Sequence, residues 1–371
     1  MKIENQFSEI VQLIKQSRSN AYTSINVELI NCYWQVGEHI SKRISSAAWG
    51  DKTVEDLATY IQKNHPDLKN FNRRGLYRMK QFYETYCQSA IVSPAVTQLQ
   101  AYDNQENTIV SAARTQLGSK GGNKHRQSGK MAVMDIRNTL LSKLTWTNHR
   151  AIFSRCKTEE ERAFYLKICV QENFNTRELE RQISAGLFER TALGNQKLSA
   201  VLRELKPNIS NTFKENYVLE FLDLPAQHNE GDLQKALIGQ MKSFILELGK
   251  DFLFIGEEYR IQVGNSDFSI DLLFFHRGLL SLVAFELKAD KFRPEHLGQL
   301  NFYLEALDRD VKKEHENPSI GILLCKDQDM EVVKYALNRS LSPALVAAYQ
   351  TQLPDKKILQ QKLIEIYENK T

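Results

Sequence analysis

The sequence has few cysteines and no long apolar run. Its 371 residues include five cysteines, widely spaced and never in a Cys-x-x-Cys pair, so neither a disulfide framework nor a structural zinc site is expected. No stretch approaches the ~18 consecutive apolar residues of a membrane-spanning helix, which argues against a transmembrane protein. The first residues are amphipathic and lack the apolar core and cleavage site of a secretory signal, which predicts a cytoplasmic location.

Charge is distributed unevenly along the chain, although the net charge is only +4. Residues 1–195 contain 27 Lys and Arg against 19 Asp and Glu, whereas residues 196–371 contain 22 against 26. A basic first half indicates a polyanionic partner for that half. A cationic surface that is merely solvated is the alternative.

The hydrophobic periodicity predicts two domains of different class. Residues 1–195 have the 3.6-residue apolar spacing of helices and are predicted to form a helical, winged-helix-like domain that binds DNA or dimerises. Residues 88–130 interrupt this pattern with Ser, Gln, Asn and Gly, and are predicted to be a loop or disordered insertion. Residues 196–211 are predicted to be a linker, and residues 212–371 a second domain.

The second domain has the pattern of a mixed β-sheet flanked by helices. Three strand-like runs in succession predict a meander, and a helix then crosses to a further apolar strand. The predicted elements are a helix at 232–249, strands at 252–262, 267–276 and 280–288, a helix at 294–307, a strand at 319–325 and a helix at 330–337. The chain as a whole is predicted to be an α+β multidomain protein.

A predicted hairpin brings two acidic residues together. If Gly278 and Leu279 form a two-residue type II′ turn, Gly278 supplies the required positive φ. Asp271 then lies opposite Glu286, with Cβ atoms about 5 Å apart. Two like charges among apolar residues are unfavourable unless one carboxyl is protonated or a cation is bound.

Lys288 is predicted to point to the same face as Glu286, because side chains alternate along a strand. Two carboxylates and an ammonium group suit Mg²⁺-dependent hydrolysis of a phosphodiester. The carboxylates would hold the ion, the ion would activate water, and the lysine would orient that water or offset charge. An ordinary salt bridge of Lys288 is the alternative, and the hydrophobicity of both strands argues against it.

Two neighbouring helices supply further candidates. Glu247 follows the apolar face of the helix before the strands, where an exposed helix-end glutamate is an equally good interpretation. Gln299 and Tyr303 are i,i+4 neighbours on the helix after the strands. A surface glutamine beside a core tyrosine is the alternative there.

These residues resemble those of a known nuclease superfamily. Asp271, then Glu286-Leu287-Lys288, then Gln299-x-x-x-Tyr303, resembles the PD-(D/E)XK nucleases in their Gln-x-x-x-Tyr-bearing branch. The segment IDLLFFHRGLLSLVAFELKADKFRPEHLGQLNFYLEALD is similar to the YhcG-like bacterial proteins, as are VLEFLDL, NPSIGILLC, INVELINCYWQVGEHI and FNRRGLYRMKQFYETY.

The resemblance implies a fold and a set of roles. It implies a restriction-endonuclease-like C-terminal domain with Asp271 and Glu286 as metal ligands and Lys288 as the catalytic lysine. Glu247 would be the helix carboxylate, and Gln299 and Tyr303 supporting active-site residues. Ile270 stands where the nominal motif has proline.

The basic half contains one concentrated cationic segment. Five residues from it are the candidate DNA-binding residues: Arg73, Arg74, Tyr77, Arg78 and Lys80. Asn72 is the predicted N-cap of the helix that carries them. Such a helix could contact phosphates or guanine edges in the major groove. Packing against the rest of the domain is the alternative, and Cys32, Tyr33, Trp34 and Trp146 are predicted core residues.

The sequence therefore predicts a nuclease that requires Mg²⁺ or Mn²⁺, acts on DNA, and forms a homodimer. Its predicted setting is restriction, repair, recombination or defence against mobile elements, with restriction-modification or recombination proteins as partners and no membrane association. One alternative is a non-catalytic DNA-binding partner of such a complex. Another is a nuclease that acts on RNA.

Overall fold

The computed structural model describes residues 2–47, 49–89, 91, 135–194, 198–199, 201–202, 212–225, 227–338, 340 and 342–368. The chain divides into two units, Met1–Ile183 and Ser184–Thr371. No helix among the described residues is long and apolar enough to cross a membrane.

The described part of the N-terminal unit is helical, as predicted. Its elements are α1 (Lys2–Ser45), α2 (Asp51–Asn64), α3 (Arg73–Tyr86), a 3₁₀ turn (Leu140–Lys143), α4 (Trp146–Arg155), α5 (Glu159–Glu172) and α6 (Thr176–Ser184). These residues include no β-strand, so the hairpin wing of the predicted winged-helix-like domain is absent from them. From residue 92 onward, the predicted insertion at 88–130 lies outside the described residues.

Aromatic side chains form much of the core of this unit. Tyr33 and Trp34 are buried, and the ring centroids of Tyr33 and Trp146 lie 4.7 Å apart. The prediction of core positions is confirmed for Tyr33 and Trp34, whereas Trp146 is half-buried. It is wrong for Cys32, which is exposed, because it lies on the solvent-facing side of α1 together with Gln35.

The C-terminal unit is a six-stranded mixed sheet flanked by helices. Its elements are α7 (Leu187–Leu193), β1 (Asn216–Val218), a 3₁₀ turn (Glu220–Leu222), α8 (Glu230–Gly239), α9 (Met241–Leu248), β2 (Phe252–Val263), β3 (Ser266–His276), β4 (Ser281–Lys291), α10 (Glu295–Ala306), a π turn (Leu307–Val311), β5 (Asn317–Asp327), α11 (Met330–Asn338), β6 (Ala344–Gln350) and α12 (Lys356–Glu368). The strand order is β1-β6-β5-β4-β3-β2.

The predicted topology of this sheet is confirmed. Strands β2, β3 and β4 form an antiparallel meander, and α10 crosses to β5, which pairs with β4 in parallel. The sequence prediction missed β1 and β6, which extend the sheet in parallel. The helix predicted at 232–249 is two helices, α8 and α9, which meet at Gln240.

The hairpin between β3 and β4 differs from the predicted turn. The first cross-strand pair is His276 with Ser281, so the turn has four residues. The left-handed backbone conformation lies at Leu280, whose φ is 50°, and Gly278 is not in that region. Because the longer turn is centred on the same point of the sequence, the register of the strands is the one predicted.

The boundary between the units also differs from the predicted one. Helix α7, which the sequence assigns to the helical domain, lies in the C-terminal unit. There Arg190 Nη1 donates a 2.6 Å hydrogen bond to the carbonyl of Asn216. Within the predicted linker, Leu198 and Leu202 are buried in the core of the sheet domain. Their burial means that these positions pack as part of that domain.

Candidate active site

The candidate site begins where β3 and β4 stop pairing. Leu272 lies opposite Phe285, and the ladder ends with that pair. Beyond it, the carbonyl of Asp271 accepts a 3.2 Å hydrogen bond from Gln234 of α8. Oδ2 of Asp271 accepts a 2.7 Å hydrogen bond from the backbone amide of Leu287. The aspartate side chain thus takes the place of a strand carbonyl and is held beside the end of the hairpin.

Glu286 is the most deeply buried carboxylate of this site, with 2% of its surface exposed. Its Oε1 lies 2.9 Å from Nζ of Lys288. Its Oε2 is buried and has no hydrogen-bond partner among the described residues. Burial, followed by the nearby charge of Asp271, raises the pKa of Glu286 to about 7, although Lys288 opposes the shift.

Lys288 joins Glu286 to a carboxylate that the sequence did not single out. Its Nζ also lies 3.3 Å from Oε2 of Glu230, the first residue of α8. Burial lowers the pKa of Lys288, but the carboxylates of Glu286 and Glu230 outweigh it and raise that pKa. A local signal was available, because Asn229 and Asp232 form a capping box that marks this helix start.

Asp271 is affected by a further acidic residue from β2. Burial raises the pKa of Asp271, the amide of Leu287 opposes the shift, and the charges of Glu230 and Glu258 add to it. The strand that carries Glu258 is irregular in this part of its length. Glu258 itself has a φ of 43°, and the register of β2 shifts between Phe254 and Gly256. The site is therefore rich in negative charge, with Lys288 as its central cation.

Helix α10 brings two further predicted residues to this cluster. Gln299 Nε2 donates a 2.8 Å hydrogen bond to Oη of Tyr303. Tyr303 is 4% exposed. Burial raises its pKa, Gln299 opposes the shift, and the charges of Glu286 and Asp271 raise it further. Tyr303 is thus close enough to the two carboxylates to be affected by their charge, and Gln299 donates a hydrogen bond to its hydroxyl.

Glu247 is held in a different environment from the one predicted for an active-site carboxylate. It is fully buried, and its Oε1 lies 3.5 Å from Arg190 Nη1 and 3.3 Å from Lys214 Nζ. The same oxygen accepts a hydrogen bond from the amide of Val218. These contacts tie α7, β1 and α9 together. The helix carboxylate that contacts the catalytic-lysine candidate is Glu230.

The donor set of this site suits a hard divalent cation. Among the described residues, no group of three or more His, Cys, Asp or Glu is arranged to hold a metal. Mg²⁺, however, is commonly held by one or two carboxylates, with water and substrate phosphate as its other ligands. Asp271 and Glu286 supply two carboxylates, and Oε2 of Glu286, which has no hydrogen-bond partner among the described residues, is an available ligand atom. The residues therefore fit Mg²⁺ or Mn²⁺.

The candidate DNA-binding residues on α3 differ in the contacts that they make. Asn72 caps the helix, as predicted, by accepting a hydrogen bond from the amide of Gly75. Tyr77 is hydrogen-bonded to Asp51, and Lys80 lies 3.0 Å from Glu84. Arg73 lies over the ring of Tyr77, and Arg74 is exposed and Arg78 half-buried on the same helix.

Comparison with known proteins matches both halves of the chain to described families. Residues 210–364 match the YhcG PDDEXK nuclease domain, and residues 9–115 and 130–190 match the DUF1016 N-terminal domain. A curated relative, "Putative nuclease YhcG" of Escherichia coli (strain K12), is 29% identical over 367 residues, which cover 96% of this chain and 92% of the relative.

Two solved structures show weak likeness. One is a repair endonuclease from Pyrococcus abyssi, 19% identical with a TM-score of 0.24, and the other is EndoMS in apo form, 16% identical with a TM-score of 0.23. Each match covers 35% of this chain. The chain spans about half the length of each of these structures, 50% and 48%.

Proposed function

We propose a metal-dependent deoxyribonuclease activity for this chain, which belongs to the proteins that combine a DUF1016 N-terminal domain with a YhcG PDDEXK nuclease domain. The observation that carries the proposal is the buried carboxylate of Glu286. It lies beside Lys288 and near a second carboxylate, and one of its oxygens lacks a partner among the described residues. Burial of that kind is costly unless a cation is bound or the carboxyl is protonated.

Asp271 and Glu286 would hold the ion, either Mg²⁺ or Mn²⁺. When bound, the ion would lower the pKa of a water molecule and offset the charge on the phosphoryl oxygens. Asp271 is suited to this role because the amide of Leu287 fixes the direction of its carboxylate. Glu286 is suited because its second oxygen is not engaged by the described residues.

Lys288 would act on the reacting phosphate or on the attacking water. Glu286 and Glu230 both contact its Nζ, so the ammonium group is oriented before substrate arrives. An oriented cation in a partly buried site stabilises developing negative charge more strongly than one in water. Tyr303, whose hydroxyl accepts a hydrogen bond from Gln299, would help to position the substrate.

The proposed substrate is DNA, and the proposed setting is cytoplasmic restriction, repair, recombination or defence, with the protein acting as a homodimer. The test is incubation of the full-length protein with supercoiled, linear, branched and single-stranded DNA and with RNA, in Mg²⁺, Mn²⁺ or EDTA. Cleavage of DNA is expected with either ion and not with EDTA.

Two variants make this test specific to the site. Asp271→Asn removes one proposed metal ligand, whereas Asp267→Asn removes an exposed carboxylate from the same strand. Cleavage should be lost in Asp271→Asn and kept in Asp267→Asn. If the wild type neither cleaves nor is stabilised by either ion, the proposal fails, and a non-catalytic role in binding DNA takes its place.

A further inference from the structure

Three arginines of the N-terminal unit lie on two helices that pack together. Arg74 and Arg78 lie one turn apart on α3, and Arg150 lies on α4. The two helices pack through Phe82, whose ring centroid is 4.8 Å from that of His149. Phe82 lies one turn beyond Arg78, and His149 directly precedes Arg150, so Arg78 and Arg150 flank this contact on the two helices.

The electrostatics of the three side chains agree with that placement. Burial, then the positive charges of Arg150 and Arg74, lower the pKa of Arg78. The positive charges of the three side chains repel one another, and this repulsion destabilises the folded unit unless an anion offsets it. The three residues are called the arginine cluster below.

The arginine cluster has no anionic partner within the described part of the chain. None of its members forms an ion pair there, and Nε of Arg150 is buried without a hydrogen-bond partner. Some other cations of the same unit are paired, such as Lys80 with Glu84 and Arg155 with Glu180. The rest of the Arg150 guanidinium forms no hydrogen bond or ion pair with the described residues either, so its outer nitrogens are the donors that could meet an external acceptor.

We propose that Arg74, Arg78 and Arg150 bind backbone phosphates of a nucleic acid. The planar guanidinium group matches phosphate geometry with two parallel hydrogen bonds, and an anion with several charges in a row fits three neighbouring arginines. Phosphates follow one another at about 3.4 Å of rise along each strand of a duplex, so side chains on successive helical turns reach separate phosphates.

This proposal changes the binding set that the sequence predicts. Tyr77 and Lys80 are engaged by Asp51 and Glu84, whereas Arg150, which is 72 positions beyond Arg78 in the sequence, joins the set. The proposal rests on the proposed function only in taking nucleic acid as the polyanion. Binding and cleavage can be measured separately, so either can fail alone.

The test measures binding of a short fluorescent DNA duplex by full-length protein in EDTA over a series of salt concentrations. The probe protein carries Asp271→Asn so that no cleavage occurs. Changing Arg74, Arg78 and Arg150 to Ala should weaken binding by about tenfold per residue. The slope of log K against log salt should fall by about 0.9 for each of the three phosphate contacts.

A matched control removes the same charge elsewhere in the unit. Lys15, Lys52 and Lys63 are exposed and form no ion pair among the described residues, and changing all three to Ala should alter the slope far less. An equal loss in this control would overturn the proposal, since net charge alone would then account for binding. An unchanged slope in the arginine variant would overturn it directly.

Two further measurements distinguish phosphate binding from a folding defect and from binding of an acidic protein. Arg74→Ala alone changes an exposed side chain, so it should keep the circular dichroism of the wild type and still lower the slope by about 0.9. Polyglutamate, added as a competitor, tests whether the cluster binds an acidic protein instead of nucleic acid. If it displaces the duplex as well as unlabelled DNA does at equal charge, the cluster binds acidic protein and the proposal is wrong.

Discussion

The backbone amide of Leu287 donates a 2.7 Å hydrogen bond to Oδ2 of Asp271. This bond fixes one carboxylate of the candidate site against the strand segment that carries Glu286 and Lys288. The candidate catalytic groups are therefore arranged by the end of a hairpin, where the ladder stops and side chains replace backbone acceptors. The predictions below follow from that arrangement and from the contacts around it.

Replacing Asp271 by Asn should abolish cleavage without destabilising the metal-free protein. The Asn side chain can still accept the hydrogen bond from Leu287, while the repulsion between Asp271 and Glu286 is lost. Thermal unfolding in EDTA should therefore show a Tm equal to or above that of the wild type. The added stability from Mn²⁺, which arises by mass action, should disappear. A clearly lower Tm in EDTA would instead assign Asp271 a structural role.

Replacing Lys288 by Ala should have the opposite effect on stability. Glu286 would lose its cation, and because Lys288 holds the pKa of Glu286 down, that pKa should rise further. The Tm in EDTA at pH 8 should fall by a few degrees, and cleavage should be lost even at saturating Mn²⁺. Lys291→Ala, which removes an exposed lysine from the same strand, is the matched control and should change neither.

Metal binding should weaken below neutral pH because protons compete for Glu286, whose pKa is about 7. The apparent association constant for Mn²⁺ should fall about tenfold per pH unit below that pKa and level off above it. A constant that does not change between pH 5 and pH 8 would contradict the assignment of Glu286 as a ligand.

The same raised pKa predicts the sign of the pH effect on folding. Between the ordinary pKa of glutamate and about 7, the folded chain binds more protons than the unfolded chain, so Glu286 makes the metal-free protein less stable as pH rises. Glu286→Gln should remove this contribution, and the Tm of the variant should exceed that of the wild type by more at pH 8 than at pH 5. Asp267→Asn is the control, and the difference between its Tm and that of the wild type should be the same at pH 5 and at pH 8.

Glu247→Gln should destabilise the C-terminal unit without affecting the chemistry. It leaves Arg190 and Lys214 without their buried carboxylate, and breaking a buried pair of this kind costs about 3–5 kcal/mol. The Tm should fall by several degrees, and the cleavage rate well below the Tm should remain near that of the wild type. Loss of cleavage with an unchanged Tm would instead support the prediction that Glu247 is catalytic.

A fragment spanning Ser184–Thr371 should unfold cooperatively as an independent domain. The shorter fragment 212–371, which the sequence suggests, lacks α7 and with it Arg190, the buried partner of Glu247. It should therefore be less stable than the longer fragment in denaturant titrations monitored by circular dichroism. Equal stability would mean that α7 contributes nothing to this unit.

The sequence by itself determined the features that depend on local order. The register of β3 and β4 was predicted correctly from the sequence even though the turn type was misassigned, because the four-residue turn is centred on the same point as the predicted two-residue turn at Gly278-Leu279. The 3.6-residue spacing was enough to predict the helical N-terminal half, and Asn72 was recognisable as a cap because capping is a local hydrogen bond.

The tertiary structure alone decided which distant residues share a site. Glu230 and Glu247 are both glutamates on helices before the strands. The capping box at Asn229 marks the start of α8, but it does not tell which of the two glutamates lies beside Lys288. Packing places Glu230 against Lys288 and buries Glu247 beside Arg190. Likewise, no local pattern marks Arg150, and it joins Arg74 and Arg78 only because α4 packs against α3 at Phe82. Such partners are set by how helices pack on a sheet or on one another, and side-chain spacing within a single element does not encode that packing.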